Sequence, residues 1–348
     1  MDEYSAHIPE PSELLLIALI VLMVVSPWLW QHAQRALLRL VDVGYYQWCA
    51  FRATRLLIDI LQFLPTSASA RSPLQRMKFY VHAALGNTQT AVEGAHQLAA
   101  HAKEDGCWWC ANCAVNLFIN AGLYQEALDI EREWKQPLDE EVPVQQQALV
   151  RFNLVEAVYN QGDWSTADAQ LDELEDVACA DPLLRNFFPV QKAWILAHTG
   201  NAESALAGLD TVDWAQVPRP YQSEVHYARA ATLLALHRYD EAHRAALEGL
   251  KSARRASSQR NGVFMLGHIA LAEGRLEEAV RHFEAGASHS YKGQGGDALL
   301  AWGKCLEKLG RQDEAKAVWQ LVLERDKQSG AARQAAFLLR PDTCPVGA

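Results

Sequence analysis

Regular alternation of apolar and polar residues, the mark of a half-buried strand, is scarce in this chain, which argues against a sheet-based architecture. A disulfide framework is missing as well. Seven cysteines occur in 348 residues, an odd number at unsuitable spacings, and a reducing compartment follows as the simpler reading. No phosphate-cradling loop is present. Gly293, Gly295 and Gly296 cluster without the required spacing or a preceding strand and read as an inter-repeat turn. No Ser/His/Asp set sits on a recognisable elbow, and the 12 histidines are scattered, mostly on helix faces. Neither a catalytic centre nor a cofactor is therefore expected. The chain also lacks a basic excess. Its net charge is -10, and an acidic array is a poor partner for nucleic acid.

What the chain has is a period. Seven times a turn residue is followed five positions later by an alanine that opens a helical pattern: Gly86/Ala91, Gly122/Ala127, Gly162/Ala167, Gly200/Ala205, His237/Ala242, Gly274/Ala279 and Gly310/Ala315. Six of the seven turn residues are glycine, and the steps between them run from 36 to 40 residues. Such a period means a stack of helical hairpins, none able to bury its apolar face alone. Abundant alanine and leucine agree with an all-α class.

Residues 14–30 form a charge-free apolar run at the short end of a membrane span, and residues 31–33 extend it. The acidic residues ahead of it and the lack of a small-residue cleavage site argue against a signal peptide. No Lys or Arg precedes the run, whereas Arg35, Arg39, Arg52 and Arg55 follow it, so the rest of the chain is expected on the cytoplasmic side. Residues 35–64 show one polar stripe suited to a long amphipathic helix, with Arg39/Asp42 and Arg55/Asp59 spaced to pair. That helix either lies on anionic lipid or caps the repeats. Residues 65–73 carry the breakers of a linker.

The best-formed repeats put small residues where helices approach (Gly267, Ala279) and large ones beside them (Leu266, Leu276, Phe283). The next unit repeats this with Trp302, Gly303, Gly310, Ala315 and Trp319, and Gly122 to Ala127 fits the same pattern. Over residues 73–339 the chain resembles the tetratricopeptide repeat (TPR) family. Its repeats exceed the family's typical length of about 34 residues, and the proline that usually ends the second helix is mostly absent. The resemblance implies a right-handed superhelical solenoid of about seven hairpins after an N-terminal transmembrane helix. The expected layout is a short acidic N-terminus (1–13), the transmembrane helix (14–33), the amphipathic juxtamembrane or capping helix (35–64), the linker (65–73), the array (74–340) and a C-terminal tail (341–348). The plan is similar to that of membrane-anchored TPR proteins of bacterial inner membranes.

In that family the first helix of each hairpin lines a concave groove. The resemblance therefore implies a protein- or peptide-binding face containing Trp109, Asn112, Asn116, Asn120, Phe152, Glu156, Tyr159, Asn160, Phe187, Trp194, His198, Glu224, Tyr227, Asn261, Phe264 and His268. Asn116 and Asn153 match positions where peptide-clamping TPR domains use asparagine. The basic clamp residues are not matched, since Phe187, Gln191 and Asn112 stand there. Capture of a peptide backbone is expected, and capture of a C-terminal carboxylate is not. About half of these aromatics are expected to pack between helices. A rival reading uses His96, His101, Cys107, Cys110 and Cys113 as a metal or redox module, although CxxC within a helix also describes small core residues. A third reading reverses the topology and makes the array a periplasm-facing envelope-assembly factor. The leading expectation is a non-enzymatic, membrane-anchored scaffold for a partner polypeptide at the cytoplasmic face.

Overall fold

All seven turn residues marked by the period adopt left-handed backbone, with φ from 58° at His237 to 93° at Gly200. At each, the residue after the turn donates its N–H to the carbonyl five positions back, as in Leu123 to Phe118 (2.9 Å), Arg275 to Ala270 (2.9 Å) and Arg311 to Leu306 (2.9 Å). This closing bond needs a positive φ, which glycine supplies without steric penalty. His237 supplies it at a cost. The seven following alanines are at most 2% exposed, because there the second helix starts against the first.

The structure, a computed structural model, describes residues 27–63, 68–105, 107–141, 144–181, 184–288 and 295–340. Two compact units, Met1–Val81 and His82–Ala348, divide the chain. In the first unit lie α1 (Pro27–Tyr46), α2 (Phe51–Phe63) and most of α3 (Ala68–Ala84). The single long helix expected over residues 35–64 is instead two helices. The chain reverses between them with Cys49 at φ 52°, and Ala50 N–H closes on the Gly44 carbonyl at 2.8 Å. Val41, Tyr45, Ile58 and Leu61 are buried, so the apolar stripe is folded onto itself. Arg55 and Asp59 pair at 3.6 Å as their spacing predicts. The expected linker is partly helical, since α3 begins at Ala68 and contains Pro73. Among the described residues no helix is long and apolar enough to cross a membrane. Residues 14–26, most of the expected span, lie outside the described residues.

The second unit starts with α4 (Thr88–Asp105). Hairpins follow: α5 (Trp108–Asn120) with α6 (Tyr124–Glu141), then α7 (Val144–Asn160) with α8 (Trp164–Asp172). A short α9 (Glu175–Ala180) precedes α10 (Leu184–Thr199) and α11 (Ala202–Leu209). The last three hairpins are α12 (Gln222–Ala235) with α13 (Tyr239–Ser252), α14 (Ala256–Ala272) with α15 (Leu276–Ser288), and α16 (Gly296–Lys308) with α17 (Gln312–Arg325). A capping helix, α18 (Gly330–Leu338), completes the stack. Each first helix packs on its own partner and on the first helix of the next hairpin, giving a continuous helical core.

The stack comes round on itself. Gln328 accepts from the Gln125 N–H at 2.6 Å and donates to Glu126 at 2.7 Å, joining the end of the last hairpin to the start of α6. Arg333 on α18 donates to the Gln161 carbonyl in the turn between α7 and α8. Gly330 and Gly162 meet so closely that a Cβ on Gly330 would lie 3.0 Å from the Gly162 Cα. These contacts close the stack around an interior that Tyr124, Glu156, Asp297 and Asp326 share.

Candidate functional site

Tyr124 reports how closely the repeats converge. It is 1% exposed, and burial together with Asp326, Glu156 and Asp297 pushes its phenol well above the ordinary value, while Arg260 acts in the opposite direction. Those four neighbours come from four different helices or their ends. Interior carboxyls are correspondingly disturbed. Burial, reinforced by Glu224, raises Glu156 to about 7, against a smaller lowering by Arg255. Asp297 keeps accessible surface, yet the protein around it still raises its carboxyl. Burial and the nearby His198 hold the His268 imidazole down at about 4, so it is neutral at physiological pH.

Some interior groups are satisfied within the protein. Glu224 accepts from Arg255 at 2.8 Å and from Ser258 at 2.7 Å, and the Arg255 guanidinium lies 4.5 Å from the centre of the Tyr221 ring. Arg260 is 2% exposed and donates to Asn261 at 3.1 Å. Glu156 has no hydrogen-bond or ion-pair partner for its carboxylate among the described residues. Close by, Tyr159 stacks on Trp164 at 5.3 Å and Trp164 on His198 at 4.0 Å, with interplanar angles of 9° and 6°. The three rings come from α7, α8 and α10 and make one aromatic wall.

The groove residues expected from sequence divide into two groups. Asn116, Asn120 and Asn160 each donate to the carbonyl four residues back on their own helix, at 2.7–2.9 Å. Asn153 donates to the side-chain oxygen of Asn112 at 2.8 Å, and Asn112 is only 5% exposed, so this pair clasps α7 to α5. Tyr159 is partly open, and Trp109 is exposed and stacked on Trp108. Three residues are corrections. Tyr227 is buried and its hydroxyl donates to the Ser258 carbonyl at 2.8 Å. Phe264 and Phe152 are buried in interhelix clusters. Trp194, partly buried, packs between the clusters of neighbouring hairpins. The reason is local: the backbone beside Tyr227 and Phe264 carries Gly249, Gly262 and Gly286, and the rings fill those slots. Trp164, Asp297 and Asp326 were not expected at the interior, and glycines facing aromatic positions are the signal that separates buried rings from open ones.

The cysteine cluster divides as well. Cys110 and Cys113 are buried in the helix seam, Cys107 caps α5, and the His96 ring sits edge-on to Phe118 at 4.9 Å. Among the described residues no group of three or more His, Cys, Asp or Glu is arranged to hold a metal ion, so His101 and its neighbours form no such centre there.

The tetratricopeptide repeat family model matches residues 297–329, the last hairpin. The surrounding hairpins share its left-handed turns and buried alanines. That last hairpin is a tetratricopeptide repeat, and the chain is similar to TPR-repeat proteins. The fold agrees with solved TPR-like structures. One is a Rap protein complexed with Competence and Sporulation Factor, at 14% identity and TM-score 0.52, covering 89% of this chain and 97% of that one. Another is NprR with its cognate peptide NprX, at 13% identity and TM-score 0.48, covering 79% and 84%. At these identities the likeness concerns the fold. No curated protein sequence matches this chain.

Proposed function

We propose that this protein is a non-catalytic adaptor that binds a partner polypeptide in the interior of its array and is tethered by residues 14–33 to the bacterial inner membrane, with the array in the cytoplasm. The observation that carries the binding half is the proximity of Glu156, Tyr159, Trp164, His198 and Glu224, from several repeats. An interior with an aromatic wall and polar side chains suits a peptide backbone and its side chains. The Rap and NprR structures were solved with a factor and a peptide, which agrees with this reading. The tether is supported by the apolar run and by the exposed faces of α1 and α2. Those faces present Arg35, Arg39, Arg52 and Arg55 beside Leu40, Trp48 and Leu56, the last three 46%, 63% and 59% exposed.

Affinity capture from detergent-solubilised membranes tests the binding half. A partner held by the wild type and lost from the Tyr159→Ala/Trp164→Ala protein at unchanged melting temperature supports it. A partner held equally by both overturns it. Carbonate extraction tests the tether. The full chain should stay with the membrane and deletion of residues 1–34 should release it, whereas a soluble full-length protein refutes the anchor. The exposed Cys179 should react with a membrane-impermeant thiol reagent only after cell lysis. Reaction in intact cells reverses the topology.

A further inference from the structure

The interior carries hydrogen-bond acceptors that the protein itself leaves unused. Glu156 is one. Gln191 on α10 is a second: it is 7% exposed, its Nε2 donates to the Phe152 carbonyl at 3.1 Å, and its Oε1 has no partner. Phe152 lies one helical turn before Glu156 on α7, so the two groups are neighbours along the same helix face. Arg255, the guanidinium acting on Glu156, makes its hydrogen bond to Glu224 through Nη2. Beside Glu156 stand Tyr159 and its stacked partners Trp164 and His198.

A buried carboxylate without a cation is unfavourable, and it resolves this either by taking up a proton or by meeting a positive charge. The titratable groups facing Glu156 are Tyr124, Tyr159, Glu224 and Arg255. Arg255 is bonded to Glu224 and only partly offsets the charge of Glu156, which has no hydrogen-bonding cation of its own among the described residues. We propose that this interior is specific for a polypeptide carrying a basic side chain, with Glu156 receiving the ammonium or guanidinium beside the wall made by the Tyr159–Trp164–His198 stack. The complementarity is of charge, a carboxylate without a hydrogen-bonding cation meeting a cationic side chain. The assignment rests on the polypeptide-binding reading above.

The test is selection of a random-peptide display library on the full-length protein, followed by affinity measurements on the strongest binder. Selected peptides should share one Lys or Arg position. Replacing that residue by Gln, or making Glu156→Gln in the protein, should each weaken binding roughly ten- to hundredfold, the range of a charge-assisted hydrogen bond. The two changes together should weaken it no further than one alone. Glu156→Gln should melt at or above the wild-type temperature at neutral pH, which separates a binding role from a structural one. Peptides selected without a shared basic position overturn the charge specificity while leaving peptide binding intact. A basic position whose loss adds independently to Glu156→Gln overturns the role of Glu156. Failure to select any peptide overturns the assignment and the polypeptide-binding reading together.

Discussion

From α12 to α17 each hairpin closes by seating an aromatic ring against a glycine. A Cβ on Gly249 would lie 2.2 Å from Tyr227, one on Gly267 2.6 Å from Phe283, and one on Gly303 2.1 Å from Trp319. From α7 to α11 no such lock exists among the described residues. Gly208, the one helical glycine there, has its nearest neighbour 4.0 Å away at Pro189. Second helices are long in the first region, 14, 13 and 14 residues, and short in the other, 9 and 8 residues. Aromatic rings that the regular hairpins bury are, in the irregular ones, stacked between hairpins as Tyr159, Trp164 and His198. Regular repeats thus lock rings against glycines within each hairpin, and in the irregular ones Tyr159, Trp164 and His198 instead stack across hairpins. The family model matches within the regular region, and the unpaired Glu156 sits in the irregular one.

The contrast is broken most directly by adding one methyl group on each side. Gly303→Ala drives a Cβ into the buried Trp319 ring and should lower stability by about 1–3 kcal/mol. Gly208→Ala meets ordinary contact and should raise it by about 0.5–1 kcal/mol, the usual helix gain. Chemical denaturation of both proteins reads the difference, and equal effects would erase the distinction between the regions.

The asparagines sharpen it next. Sequence alone treats Asn116 and Asn153 alike, as open groove residues. Asn153→Ala strips the Asn153 donor from the buried oxygen of Asn112 and should lower stability by about 1–3 kcal/mol. Asn116→Ala removes a bond to its own helix and should stay within about 0.5 kcal/mol of wild type. Thermal melts of the two variants check the ranking.

His237 offers a smaller, stabilising change. It adopts φ 58° where the other hairpin turns use glycine. His237→Gly should raise stability by roughly 1 kcal/mol by relieving a left-handed side-chain residue, less what is lost with its 2.9 Å contact to Tyr239. A lower melting temperature would show that the ring contact outweighs the backbone strain.

What could be read from the chain, and what could not, follows the range of each interaction. A left-handed turn and a buried alanine five residues later are local requirements, so all seven turn positions were legible, including His237. The close approaches at Gly267 and Gly303 were legible for the same reason. Closure of the stack was not. The bonds of Gln328 to Gln125 and Glu126, and of Arg333 to Gln161, depend on a rotation accumulated over five hairpins. The reversal at Cys49 was hidden because the apolar pattern runs on through it. Of the candidate groove residues, Tyr159 and His198 join one ring stack with Trp164, whereas Tyr227 and Phe264 fill slots opened by glycines on neighbouring helices, a pairing that periodicity within one helix does not register.

Stability should also depend on pH. Burial raises Glu156 from the ordinary 4.5 to about 7, so the folded chain holds a proton that the unfolded chain has released between those values. Its contribution is therefore intact below about 4.5 and lost as pH rises through about 7. The melting temperature of Glu156→Gln relative to wild type should rise across that window and level off above it. His268, held at about 4, acts in the opposite sense: neutral in the folded chain, it weakens stability as the medium is acidified below the ordinary 6.5. Comparing Glu156→Gln with wild type at each pH cancels that term.

That the interior of the array is where a partner polypeptide binds is tested by photo-crosslinking in living cells. A photoreactive phenylalanine analogue is placed at Tyr159 on the inner wall or at the exposed Glu277 on the second helix of its hairpin. A single polypeptide crosslinked from Tyr159, absent from Glu277 and lost on Glu156→Gln, is the expected result. Crosslinks from Glu277 alone would move the binding surface to the outside of the array.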